Sequence, residues 1–397
     1  MTSSPNPPAS SSAWNRNAAL ILGITLINLL GIPMITPALP AMREAVGVTD
    51  EQLGLVMTAY ALPALIIVPF VGLLADRYGK KLVLIPSLFL FSIAGSAVGW
   101  AENLETLLTL RLVQGLGASG LSNLSVALIG DYFSGHDRAR VMGRMGAAQI
   151  IAAGGYPLLG GFLVAFGWHY PFLTCLLGLP VGLLAMAFMT ETKTTRTTKG
   201  REFLGHAGRS LADRRVVEIL IMTAGFIFVG FGALNTYLPV LLADKFGTSA
   251  VFIGVIISAR SFSGTIAALQ LARLAQIFSY RGLITAAFLV QAAAVAMVPL
   301  LPTDMSIMIA MLAYGAAFGV VRPGLQVMII ENAPEDLRAT FASGVSFALR
   351  LAQTLGPVAS GAVIAFGSFD LMYYGGAAIA VALSVLAFTA KALKPAT

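Results

Sequence analysis

The sequence predicts an all-α membrane protein, with twelve transmembrane helices in two pseudo-symmetric six-helix bundles. Three observations predict it. Apolar runs long enough to cross a bilayer recur twelve times. The basic residues gather on one side of those runs. The chain also repeats itself at an offset of 200 residues. Composition agrees: 57% of the 397 residues are hydrophobic and only 11% are charged. The mean hydropathy is +0.84. A soluble domain of this length carries far more charge.

The predicted spans are residues 18–41, 51–75, 82–100, 105–130, 138–165, 170–190, 216–243, 250–274, 282–301, 305–331, 338–366 and 369–390. A β-barrel would alternate apolar and polar residues over about ten positions. These runs are apolar all round, so they read as helices. Residues 1–17 are rich in Ser, Pro and Asn and read as a disordered cytoplasmic tail. The following run is too long for a signal-peptide core and is taken as a retained first span. The bundles are then 18–190 and 216–391, joined by a basic cytoplasmic linker at 191–215, with a tail at 392–397.

Orientation follows the Lys/Arg bias of short loops. With the N-terminus cytoplasmic, nineteen of the 25 Lys and Arg lie inside. Arg43 and Lys245 lie outside, and Arg111, Arg260, Arg322 and Arg350 lie within spans. Topology thus accounts for the net charge of +7, and no nucleic-acid partner is needed. A lone Cys175 allows no disulfide within the chain, and His136, His169 and His206 lack metal-site spacing. No catalytic cluster and no phosphate-binding loop appears, so an enzyme and a nucleotide-driven pump are both disfavoured. No cofactor is expected.

The repeat is dense. Gly47 meets Gly247, Gly54 meets Gly254, Gly115 meets Gly315, Asp131 meets Glu331, Pro157 meets Pro357 and Gly161 meets Gly361. Arg138-Ala139 meets Arg338-Ala339, and Ala165-Phe166-Gly167 meets Ala365-Phe366-Gly367. Two parallel six-helix repeats with a substrate site between them is a known transporter plan.

The stretch Gly72-Leu-Leu-Ala-Asp76-Arg77-Tyr78-Gly79-Lys80-Lys81, between the second and third spans, resembles the signature loop of the major facilitator superfamily of transporters. Two further segments carry the resemblance. Arg111-Leu-Val-Gln114-Gly115 is similar to the family's Arg-x-x-Gln-Gly segment, whose arginine is implicated in proton coupling. Gly154-Gly155-Tyr156-Pro157-Leu-Leu-Gly160-Gly161 resembles the exporters' Gly-Pro-x-x-Gly-Gly segment, with Tyr156 in place of one glycine. The likeness covers nearly the whole chain and is greatest to twelve-helix drug and metabolite exporters. It implies that Asp76 caps the cytoplasmic start of the eleventh span. It also implies that Lys80 pairs with Asp131, and that the two interactions together latch the halves in the outward-facing state.

All eighteen Asp and Glu lie in loops or near span ends, whereas Arg260, Arg322 and Arg350 lie at span centres in the second half. An unpaired cation there costs at least about 2.5–3.5 kcal/mol. Backbone carbonyls, amides and water are one way to satisfy them; a bound anion is the other, and guanidinium suits carboxylate or phosphate. An anionic substrate is therefore expected, held partly by Arg260 and Arg350. Tyr60, Asn28, Asn235, Gln149, Gln326 and Gln353 are its candidate polar neighbours. Tyr60 is the repeat mate of Arg260 and is expected at similar depth. The resulting reading is a monomeric, plasma-membrane exporter of a small anion, such as a carboxylate siderophore or organic acid. It works by alternating access against protons or a counter-ion. The alternatives are efflux of amphiphilic or cationic drugs, uptake of an organic acid, and a non-transporting scaffold.

Overall fold

The computed structural model describes residues 11–191, 213–332 and 338–393. The terminal tails in part, most of the 191–215 linker and the residues just before the eleventh span lie outside this set. Among the described residues the regular structure is helical. The helices are α1 (Ser11–Leu29), α2 (Leu39–Val46), α3 (Asp50–Tyr78), α4 (Lys80–Ala97), α5 (Leu104–Tyr132), α6 (Gly135–Val164), α7 (Tyr170–Leu173) and α8 (Gly178–Phe188) in the first half. The second half holds α9 (Arg214–Val229), α10 (Leu238–Phe246), α11 (Ala250–Ile277), α12 (Tyr280–Met297), α13 (Asp304–Asn332), α14 (Arg338–Phe366) and α15 (Phe369–Thr389). Eleven described segments are long and apolar enough to span a bilayer, from Asp50–Val68 to Phe369–Thr389.

The first span departs from the expected continuous helix. α1 ends at Leu29, a turn and a 3₁₀ segment (Thr36–Ala38) follow, and α2 completes the crossing. Gly31, Pro33, Pro37 and Pro40 lie in or beside the break, where missing N–H groups and ring clashes stop an α-helix from continuing. The seventh span is broken at the matching place. There α9 passes through a π-helical stretch (Gly230–Tyr237) into α10. Both broken spans end in a left-handed glycine, Gly47 (φ 71°) and Gly247 (φ 64°).

The repeated glycines are the points where backbones touch. A methyl group on Gly54 would overlap the carbonyl oxygen of Pro357, and one on Gly254 would overlap that of Pro157. Gly161 and Gly361 stand in the same relation to the carbonyls of Ala250 and Glu51. α3 thereby crosses α14, and α11 crosses α6, at backbone distance, the small-residue packing that membrane helices favour. These four contacts join the two halves. All lie at the distal end, the end remote from the chain termini.

The cores confirm this closure. One apolar core at the distal end mixes residues of both halves, among them Leu53, Val56, Met57, Tyr237, Leu238, Ile253 and Ile256. Toward the termini each bundle has its own core, around Leu88, Phe91 and Leu124 in the first and Ile219, Phe288 and Val321 in the second. Two hydrogen bonds also cross distally. The Gly54 amide donates to Tyr237 Oη at 3.1 Å, and Thr58 Oγ1 donates to the Thr354 carbonyl at 2.7 Å.

Gly54→Val and Gly254→Val are expected to open these crossings, at about 1–3 kcal/mol of overpacking each. A thermal-unfolding midpoint in detergent measures the loss. Gly72→Ala, on a face with open space around it, is expected to leave the midpoint unchanged or raise it slightly.

Candidate functional site

Two arginine–tyrosine pairs sit at one depth, one in each half. In the first half, Gly115 of α5 lies on the Tyr60 carbonyl of α3; in the second, Gly315 of α13 lies on the Arg260 carbonyl of α11. These equivalent crossings fix Tyr60 and Arg260 at equivalent levels. Arg111 lies over the Tyr60 ring at 4.6 Å to the centroid, and Arg260 over the Tyr314 ring at 5.9 Å. The partners are exchanged between the halves. α3 gives the tyrosine and α5 the arginine, whereas α11 gives the arginine and α13 the tyrosine. Each tyrosine hydroxyl fits against a glycine of its broken span, Tyr60 against Gly31 and Tyr314 against Gly230.

Arg111 is fully buried, at 0% exposure. It does not snorkel to an interface as a position only six residues inside a predicted span allows. Its Nη1 donates to the Gly31 carbonyl at 3.1 Å and to Gln114 Oε1 at 2.8 Å. Its Nη2 lies 3.9 Å from Met57 Sδ. Gln114, also fully buried, turns its amide nitrogen to Cys175 Sγ at 3.6 Å. Arg260 Nη2 donates to Asn235 Oδ1 at 2.6 Å, from the π-helical stretch of the seventh span. Both cations are thus met by a side-chain amide and a ring, and among the described residues neither is met by a carboxylate.

Arg350 and Arg322 differ. Among the described residues neither guanidinium has a hydrogen bond or an ion pair. Arg350, on α14, is half-buried and within electrostatic reach of the Tyr60 hydroxyl across the bundle boundary. Arg322, on α13, is exposed and approaches the Phe318 ring at 5.9 Å. With Gln326 it lines a cavity of about 140 Å³ between α9, α13 and α14, which Ser346 and Leu349 also line. Gln149 is exposed on α6 and Gln353 half-buried on α14. Asn28 is already a helix–helix contact, donating to Ser122 Oγ at 2.6 Å. Pro157 sits inside α6 at the Gly254 crossing.

At the terminal end, Lys80 Nζ and Asp131 Oδ2 are 2.5 Å apart, joining α4 to the end of α5. Gly79, at φ 106°, makes the turn from α3 to α4. Arg77 is exposed beside the Tyr78 ring, and Asp76 is half-buried in the last turn of α3. The cap that Asp76 is expected to provide for the eleventh span falls on residues outside the described set. Glu191 supplies a cap that the motif did not foretell, accepting from the Lys81 and Leu82 amides at 3.2 and 3.3 Å.

Sequence reasoning also missed Tyr314 and the distal ion cluster. Arg43 Nη1 lies 2.5 Å from Asp50 Oδ1, and its Nη1 and Nη2 lie 2.7 and 2.6 Å from the two oxygens of Asp244. A signal for Tyr314 was present, since its repeat mate is Gln114 of the arginine segment. Among the described residues no group of three His, Cys, Asp or Glu is placed to hold a metal ion.

The family model described as Major Facilitator Superfamily matches residues 21–351 and 220–397. The chain belongs to that superfamily. It is a multi-pass membrane protein of that superfamily. The bacillibactin exporter of Bacillus subtilis (strain 168) is 31% identical over 165 residues, 40% of this chain and 41% of that protein. The quinolone resistance protein NorA of Staphylococcus aureus (strain MSSA476) is 30% identical over 250 residues, 62% of this chain and 63% of that one. The matches thus span less than two thirds of either curated relative. Among solved structures, the nucleoside transporter NupG superposes with a TM-score of 0.77 at 15% identity, covering 97% of this chain and 100% of that one. This last likeness is one of fold.

If the rings hold the buried cations, Tyr60→Phe keeps near-native stability and Tyr60→Leu loses about 1–2 kcal/mol of cation–π contact. Paired thermal-unfolding curves separate the two. Equal losses in both variants would mean that the hydroxyl, not the ring, is what matters.

Proposed function

We propose that this transporter exports a small organic anion across the plasma membrane, by rocking its two bundles about a central site. One observation carries the reading. Of four arginines inside the bundles, Arg111 and Arg260 are engaged by amides and rings, while Arg350 and Arg322 are left without hydrogen-bonding partners among the described residues. A guanidinium that opens onto a cavity between helices and has no protein partner offers its two parallel N–H groups to a carboxylate. Arg350, facing Tyr60 across the bundle boundary, is the central anion-binding group, and Arg322 with Gln326 offers a second point. Arg260 passes from the substrate contacts expected of it to holding the site in shape beside Asn235.

Termini on the cytoplasmic side fit the basic residues gathered there. A distal closure then seals the outside and leaves the site to load from the cytoplasm. Two relatives that match over part of the chain are an exporter of bacillibactin and a quinolone resistance protein, and both fit outward transport. Coupling to protons falls to Asp76, Asp131 or Arg111, and coupling to a counter-ion is the alternative. The transporter acts as a monomer in the bilayer, with bundles at 18–190 and 216–391. The second reading is multidrug efflux, which the similarity to a quinolone resistance protein favours.

Citrate and tricarballylate are expected to raise the unfolding midpoint of the purified protein in detergent. Arg350→Gln is expected to weaken that binding tenfold or more, and Arg322→Gln less. A midpoint raised by ethidium and not by either anion would overturn the anion reading in favour of multidrug efflux.

A further inference from the structure

The distal ion cluster joins the bundles at the end where their backbones already touch. Arg43 projects from α2, at the end of the first span, and Asp244 from α10, at the end of the seventh. The pair is bidentate, at 2.6 and 2.7 Å, so the guanidinium plane and the carboxylate plane are held in register. Asp50, at the first position of α3, takes the same guanidinium from within the first half at 2.5 Å. The cluster is partly shielded, with side-chain exposures of 16% for Arg43, 31% for Asp50 and 42% for Asp244. The neighbouring cation does not compete for Asp244, because Lys245 donates to the Pro299 and Leu301 carbonyls within its own half.

We propose that Arg43, Asp50 and Asp244 form the distal gate of the transport cycle, with unequal roles for the two carboxylates. The bond to Asp244 crosses between bundles and must break whenever the distal end opens. The bond to Asp50 lies within one bundle and survives opening. Arg43 therefore never stands without a counter-charge, and the gate opens by exchanging one of its two carboxylate partners for water. Asp244 is the more exposed carboxylate, so it is the one that water receives most readily. The glycine crossings nearby set how closely the halves meet; the ion cluster sets how long they stay together. This reading concerns the cycle and not the cargo, so it stands apart from the anionic-substrate proposal.

Spin labels at Ala45→Cys and Val251→Cys report the distance across this end. Both sites are exposed and belong to opposite bundles, while native Cys175 is buried. In the protein with all three charged residues intact, one short-distance population is expected. Arg43→Gln and Asp244→Asn are each expected to raise the distally open, long-distance population by about three- to tenfold. Asp50→Asn is expected to change it much less. Unchanged distances in both Arg43→Gln and Asp244→Asn would overturn the gate. A shift in Asp50→Asn as large as in Asp244→Asn would overturn the division of roles. Unfolding midpoints of all three variants distinguish gate opening from loss of the folded bundle.

Discussion

Guanidinium groups in a hydrocarbon-spanning bundle have to find polar partners inside the protein, and this need shapes the centre of the molecule. No carboxylate lies at their depth among the described residues. The first half meets the need with a ring, an amide and a main-chain carbonyl around Arg111. The second half meets it with a ring and an amide around Arg260. Those partners in turn need the broken spans. Gly31 makes room for the Tyr60 hydroxyl and Gly230 for that of Tyr314, and Asn235 lies on π-helical backbone. π-Helical turns are rare and gather at functional sites. Here the extra residue per turn places an amide beside a cation.

Much of this architecture was legible in the sequence, because it depends on period and composition. Span length and basic-residue placement follow from general membrane physics, and the 200-residue offset is read directly by aligning the chain with itself. The repeated glycines at 54, 115, 161 and their mates turned out to be the close crossings of helices. What the sequence hid was of another kind. The break in the first span was disguised by a run of apolar residues, although Gly31, Pro33 and Pro37 marked it. The full burial of Arg111 was not legible, because a position six residues inside a predicted span suits an interior and an interfacial side chain alike. The ring partner of Arg260 was missed since tyrosine in an apolar run reads as packing. Arg43 and Asp244 sit 201 residues apart and off the repeat register, so no local pattern joins them.

The two ends of the molecule are held by different chemistry. Distally, the halves share an apolar core, glycine–carbonyl crossings and an ion cluster. Toward the termini, each half keeps its own core, and Lys80–Asp131 ties α4 to α5 within a single bundle. Burial of a common core is non-directional, whereas a bidentate ion pair tolerates little displacement. Combining them lets an interface resist both separation and sliding while the opposite end stays independent.

The exchange of arginine and tyrosine between the halves bears on how such a chain arose. Duplicating the first half alone would yield two copies of the Tyr60–Arg111 pair, each internally complete. Such an ancestor would carry Ser122 and Ile150 where this chain has Arg322 and Arg350. Every arginine within its spans would already lie against a ring, an amide and a main-chain carbonyl. The internal symmetry of the chain thus fails at Arg322 and Arg350, the two guanidiniums without a hydrogen-bonding partner among the described residues.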